Sequence, residues 1–124
     1  MSIKETKRIV IAGSRNYNDY NKAKTYIDFC ISDIRNKYNI IIISGGAKGA
    51  DTLGERYANE NGFAIERYLA DWEQQGKKAG LIRNREMAEI ADYVICFWDG
   101  RSRGTKSMIE YSKQLNKPLK VKKV

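Results

Sequence analysis

Asn39-Ile40-Ile41-Ile42-Ile43-Ser44-Gly45-Gly46-Ala47-Lys48-Gly49-Ala50-Asp51 is the stretch that decides the fold. Four consecutive isoleucines do not alternate, so a strand made from them is buried on both faces. That is the mark of a central parallel strand covered by helices on either side. Ser44, Gly45 and Gly46 end the run, and the helix that follows turns Leu53, Tyr57 and Ala58 inward before closing at Gly62. The stretch is one strand–turn–helix unit of a parallel sheet.

Working outward, the same unit recurs. Residues 1–5 hold no apolar signal-peptide stretch and lead straight into a short β-rich run over residues 9–12, which stops at Gly13. Asn18 or Asp19 caps the next helix, in which Ala23, Ile27, Cys30, Ile31, Ile34 and Tyr38 recur at helical spacing. Downstream, residues 63–69 alternate as a third strand, residues 71–80 read as a polar loop over the site, and a helix covers about 81–90. Residues 93–98 form a nearly all-apolar fourth strand, and residues 99–104 a second glycine-bearing loop. A helix then places Met108, Ile109, Ser112 and Leu115 on one face. Residues 118–121 make a last strand whose Pro118 suits a sheet edge. This alternation predicts one α/β domain over residues 1–124: a Rossmann-like three-layer sandwich with a parallel sheet of about five strands in the order 3-2-1-4-5. That order gathers the loops after strands one, two and four at the switch point, where such folds bind ligands.

Composition narrows the chemistry. With 124 residues, 42% of them hydrophobic and 31% charged, the chain has ordinary globular make-up, and no apolar run is long enough for a membrane helix. A cytoplasmic protein is expected, with Cys30 and Cys96 as buried, unpaired hydrophobes. Histidine is absent, which removes the usual neutral-pH base and the commonest metal ligand; no metal and no cofactor are expected. Catalysis, if any, has to run through carboxylates, Tyr, Lys or water. The net charge of +8 suggests an anionic partner. Lys113, Lys117, Lys120, Lys122 and Lys123 read equally as a solvated face, so weight falls on the basic residues within the glycine-rich segments.

Three segments carry the chemistry. In Gly13-Ser14-Arg15 the glycine allows a sharp turn, the hydroxyl can donate, and Arg15 can hold an anion by two parallel hydrogen bonds. In the stretch from Ser44 to Asp51, Gly45, Gly46 and Gly49 let backbone amides approach a phosphate at a helix N-terminus, and Lys48 adds charge. The spacing matches neither a Walker P-loop nor GxGxxG. Asp99-Gly100-Arg101-Ser102-Arg103-Gly104-Thr105 is a second strand–loop–helix junction, where Thr105 can offer its N–H and hydroxyl. Arg101 and Arg103 either clamp a phosphate or point into water. One anion-binding turn explains one loop; a nucleotide derivative with a sugar and a base explains three.

Taken in order and spacing, Gly13-Ser14-Arg15, Gly45-Gly46-Ala47-Lys48-Gly49-Ala50-Asp51, Asp71-Trp72, Gly76-Lys77-Lys78-Ala79-Gly80, Arg83-Asn84-Arg85-Glu86-Met87, Ala91-Asp92 and Gly104-Thr105 resemble the SLOG superfamily, in particular its small domains related to YspA and YpsA. The resemblance runs from Ile9 to Val121 and implies a Rossmann-like nucleotide-ligand domain. Its best-understood enzymes are the Lonely guy phosphoribohydrolases, which cleave the N-glycosidic bond of nucleoside monophosphates. Aligned on Ala91-Asp92, the arginine before the Glu-Met pair of those enzymes falls on Arg83, and the glutamate of their last loop falls on Met108. A carboxylate stabilises the oxocarbenium-like state of that reaction, and methionine cannot. Glu110 sits about 200° around the helix from Met108.

The reading that results is binding: sensing or sequestering a nucleotide-derived small molecule, without turnover. Arg15, Lys48 and Arg83 supply charge, Gly45, Gly46, Gly49, Gly104 and Thr105 supply backbone donors, and Asp51 supplies a ribose or amino contact. Gly13, Ser14, Ser44, Asn84, Asp99, Gly100 and Ser102 complete the expected site. Trp72 or Trp98 either stacks on a base or is buried. The alternative is a hydrolase of the N-glycosidic bond, with Asp51 or Asp99 as carboxylate and Arg83 as phosphate anchor. Nucleic-acid binding, suggested by the shared fold of DNA-processing protein A and the basic charge, is disfavoured because no recognition motif or aromatic-plus-basic ribbon occurs. Arg85, Glu86 and Glu89 read as an exposed face with an Arg85–Glu89 pair. By analogy with the fold, a homo-oligomer, dimer or higher, is expected.

Overall fold

Strands β1 (Thr6–Gly13), β2 (Asn39–Ser44), β3 (Ala64–Arg67), β4 (Tyr93–Trp98) and β5 (Leu119–Lys123) form a single sheet in the order β3-β2-β1-β4-β5. Every neighbouring pair is parallel. The coordinates are a computed structural model that describes residues 4–124, so the lead-in over residues 1–3 lies outside the described residues. The expected architecture and strand order are those observed.

The isoleucine run is buried as its composition requires. Ile40 and Ile42 join Ile9, Ile11, Ile95 and Phe97 in a core beneath helices α1 (Tyr20–Ile31) and α2 (Ala50–Asn61). Ile43, with Ile41 packed beside it, joins Val10, Ala12, Val94 and Cys96 beneath α4 (Ala79–Ile90) and α5 (Arg103–Gln114). Each fully buried isoleucine stabilises the fold by about 1.5–3 kcal/mol relative to an exposed one. Cys30 and Cys96 are both free and buried, on opposite sides of the sheet.

Four local departures have physical causes. Helix α1 stops at Ile31, but Ile34 and Tyr38 still pack on the core from the turns that follow, so their helical spacing reflected burial and not helix. Residues 71–80 are not a loop. The Asp71 carboxylate accepts from the Gln74 amide at 3.1 Å and starts a short helix α3 (Trp72–Gln75), a 3₁₀ turn follows over Gly76–Lys78, and α4 begins at Ala79. Gly104 belongs to the first turn of α5 and not to the preceding loop. Leu115 lies past the end of α5 and is 36% exposed, so it is not on the buried face with Met108, Ile109 and Ser112.

Candidate functional site

Because α1 and α2 cover one face and α4 and α5 the other, the chain leaves β1 and β4 in opposite directions. A crevice therefore opens at their C-terminal ends. Ser14 ties its walls together. The Ser14 amide donates to the Phe97 carbonyl at 2.9 Å, its carbonyl accepts from the amides of Tyr17 (3.2 Å) and Ala50 (3.3 Å), and its Oγ accepts from the Asp99 amide at 3.1 Å. This fully buried serine joins all three glycine-bearing loops at one point.

The cleft has two lobes. The inner one, about 430 Å³, is lined by Gly13, Arg15, Asn16, Asp51, Arg83, Asn84, Asp99, Ser102, Gly104 and Thr105, with Ala12, Met87 and Met108 as its apolar wall. The outer one, about 510 Å³, is lined by Gly45, Gly46, Lys48, Leu69, Ala70 and Trp72. Arg15, Ala47 and Arg83 border both.

Asp51 and Arg83 both approach Gly45. A Cβ on Gly45 would lie 2.6 Å from Arg83 Nη1 and 3.0 Å from Asp51 Oδ2, so a larger residue there would displace the ends of these side chains. Arg83 Nη1 donates to the Gly45 carbonyl at 2.8 Å, and Arg83 Nε donates to Asn84 Oδ1 at 3.0 Å. Asn84 in turn donates to the Gly104 carbonyl and to Ser107 Oγ, both at 3.0 Å, which links α4 to the start of α5. Burial pushes the Asp51 carboxyl up to about 6, against the opposing effects of the Ala47 amide and of Arg83 and Arg15. Burial likewise lowers the Arg83 guanidinium from its ordinary value, while Asp51 opposes that shift. Asp99 behaves differently: the amides of Ser102 and Arg101, each 2.8 Å from Oδ1, hold its carboxyl below the usual range. Its charge is engaged in shaping the loop.

Four of the expected residues do not line either lobe. Ser14 holds the loops from beneath. Ser44 Oγ donates to Glu55 Oε2 at 2.7 Å, and Glu55 is also gripped by Arg67. Gly49, at φ +80°, packs where a Cβ would come within 2.4 Å of the carbonyl oxygens of both Ser14 and Arg15. Gly100 sits on the outside, 3.6 Å from Lys123 Cε by the same measure. The density of glycines in the second segment thus has a packing cause alongside any role in anion capture. Asn16, Met87 and Leu69 line the cleft although nothing local in the sequence marks them.

Met108 is 1% exposed and faces the inner lobe, whereas Glu110 is on the outer side of α5, 4.0 Å from Lys106. The position that the resemblance aligns with the glutamate of the phosphoribohydrolases is therefore apolar in this cleft. Trp98 donates its Nε1 proton to the Ser102 carbonyl at 3.0 Å and packs with the α4–α5 core. Arg85 pairs with Glu89 at 3.1 Å on an exposed face. Among the described residues no group of three His, Cys, Asp or Glu side chains could hold a metal ion, and no helix is long and apolar enough to cross a membrane.

A parallel sheet of this order with its glycine-rich junctions gathered at the switch point defines a Rossmann-like α/β domain of the SLOG superfamily. More narrowly, the chain belongs to the YAcAr family, the YspA, cpYpsA-related SLOG family, whose model matches residues 7–75. It is 36% identical over 120 residues to the Gene 61 protein of Mycobacterium phage D29, covering 91% of this chain and 94% of that one. Among solved structures it is similar in fold to DNA processing protein A from Streptococcus pneumoniae (TM-score 0.72, 20% identity), spanning 94% of this chain but only half of that one. DNA processing protein A from Helicobacter pylori, described for its single-stranded DNA binding, matches with a TM-score of 0.66 at 22% identity, over 93% of this chain and 64% of that one. TM1055 matches with a TM-score of 0.62 at 20% identity, over 94% and 72% of the two chains.

Proposed function

We propose that the cleft captures a phosphorylated, nucleotide-derived small molecule and holds it unchanged, in a sensing or sequestering role. The observation that carries this reading is the convergence of Arg15, Arg83 and the N-terminal turn of α5, with Ser102, Gly104 and Thr105, on one concave site. Guanidinium groups bind phosphate by parallel hydrogen bonds, and a helix N-terminus favours negative charge. Lys48 adds a further cation at the outer lobe. Met108 in the wall argues against turnover by a glycosidic mechanism, since the oxocarbenium-like state would face a thioether.

Native mass spectrometry of freshly purified protein tests the first half of the proposal: a retained anionic small molecule is expected. Incubation with nucleoside monophosphates and nicotinamide nucleotides tests the second, and no free base is expected. Asp51 favours a second reading, hydrolysis of an N-glycosidic bond, because a carboxyl that titrates near 6 inside the cleft is able to transfer a proton. Base release that disappears in Asp51→Ala would establish that reading instead.

The single-stranded DNA binding of the Helicobacter pylori relative weakens the expectation against nucleic acid, which rested on missing motifs alone. Titrations across salt separate the cases. Strand binding falls steeply as salt rises through released counterions, and capture of one mononucleotide depends on it far less.

A further inference from the structure

We infer that Trp72 is the platform on which a planar nitrogen heterocycle of the ligand stacks, in the outer lobe, while the ligand's anionic group occupies the inner lobe. This rests on the reading of the cleft as a nucleotide-ligand site and adds the subsite that distinguishes a whole nucleotide from a sugar phosphate.

Trp72 is 55% exposed and Leu69 is 71% exposed, and both line the outer lobe. Single apolar side chains scattered over a surface are ordinary. Two large ones on the wall of a concavity that also holds Lys48, Arg15 and Arg83 make an amphipathic site for a flat, apolar-faced group attached to an anion. The backbone that carries the indole is fixed before any ligand arrives, and the ring lies over Gly80. The Asp71 carboxylate caps α3, the Gly76 amide donates back to the Trp72 carbonyl, and Trp72 Cη2 lies 3.3 Å from where a Cβ on Gly80 would stand. An aromatic ring that already rests on the chain loses less freedom when another ring stacks on it than a wholly free one would. Trp98 does not serve, because it lines neither lobe, its ring packs against the α4–α5 core and its N–H is committed to Ser102.

Arg15, Ala47 and Arg83 border both lobes, which places the two side by side within the span of one ligand. Each lobe has the volume typical of small-molecule sites, about 300–1,000 Å³. The division of labour follows from the linings: the α5 N-terminus and Asn84 lie in the inner lobe, and the indole lies only in the outer one.

Calorimetric titration of the full chain with AMP, GMP, CMP, UMP and ribose 5-phosphate tests the inference. At least one nucleotide is expected to bind more tightly than ribose 5-phosphate. Trp72→Ala should weaken that nucleotide about tenfold, leave ribose 5-phosphate unchanged, and be largely rescued by Trp72→Phe. The unchanged sugar-phosphate affinity also reports that the variant is folded. Equal nucleotide affinity in wild type and Trp72→Ala overturns the subsite while leaving the cleft's anion site standing, as does binding of ribose 5-phosphate but of no nucleotide. Failure of all five probes to bind overturns both readings. Dependence on Trp72 shown only by a single-stranded oligonucleotide overturns the small-ligand subsite in favour of a strand-binding surface.

Discussion

The backbones of Gly49 and Ser14 approach so closely that a Cβ on Gly49 would lie 2.4 Å from the Ser14 carbonyl oxygen. This contact holds the junction after β2 against the junction after β1. Gly49 also has a φ of +80°, which L side chains rarely adopt. Gly49→Ala should therefore cost about 2 kcal/mol or more. Gly62→Ala is the matched control: its φ is +71° but its Cβ would meet nothing within 4 Å, so about 1 kcal/mol is expected. Urea unfolding of the two variants checks the order, and a Gly49 variant as stable as the Gly62 one would remove the contact's importance.

Arg83 presents two of its nitrogens to fixed acceptors, the Gly45 carbonyl and Asn84 Oδ1. Lysine has no planar fork and cannot reproduce both bonds. Arg83→Lys should weaken nucleotide or ribose 5-phosphate binding about tenfold, the loss expected for a charge-assisted bond. Arg85→Ala, on the exposed face of the same helix, should leave it unchanged. Equal affinities for the two variants would place the anion elsewhere.

Asp51 makes stability depend on pH in a direction that can be worked out. Its folded-state pKa of about 6 exceeds the ordinary 3.8, so the folded state holds the proton more tightly than the unfolded one. Its contribution to stability is therefore greatest below about 3.8 and is lost as pH rises to about 6. Asp51→Asn removes that dependence. The variant should match the wild type near pH 4 and exceed it at pH 7 by on the order of 2 kcal/mol. Thermal or denaturant midpoints that run parallel from pH 4 to 7 would contradict it.

Ser14→Ala should leave the Asp99 amide without its acceptor, at a cost of about 1–3 kcal/mol. Hydrogen exchange at Asp99 should quicken well beyond the change seen in β2. Unchanged protection there would show that the bond does not hold the third loop.

Much of the architecture was legible because its signals are local and periodic. The isoleucine run matches a strand covered on both faces, and the repeated strand–glycine–helix pattern matches a parallel sheet. Of the expected site residues, Arg15, Asp51 and Thr105 were marked by the glycine-bearing segments and Arg83 by the family resemblance, and all four line the inner lobe. Residues 71–80 misled because their polarity resembles a loop, while the helix there depends on one cap and on Trp72 lying over Gly80. Met108 was identified as a departure from the phosphoribohydrolases, yet its place in the cleft wall is set by the rotation of α5 on the sheet.

From the chain alone came the order of the strands and the edge of the sheet at which its loops gather, since pattern and connectivity are written along the backbone. Tertiary structure alone decided which glycines touch backbone, which serine is spent on holding loops, and which carboxyl is pushed toward neutral pH. Those properties belong to pairs of groups far apart in sequence, such as Arg83 with Gly45 across 38 residues and Ser14 with Asp99 across 85. Burial and close approach exist only once the sheet has brought such partners together.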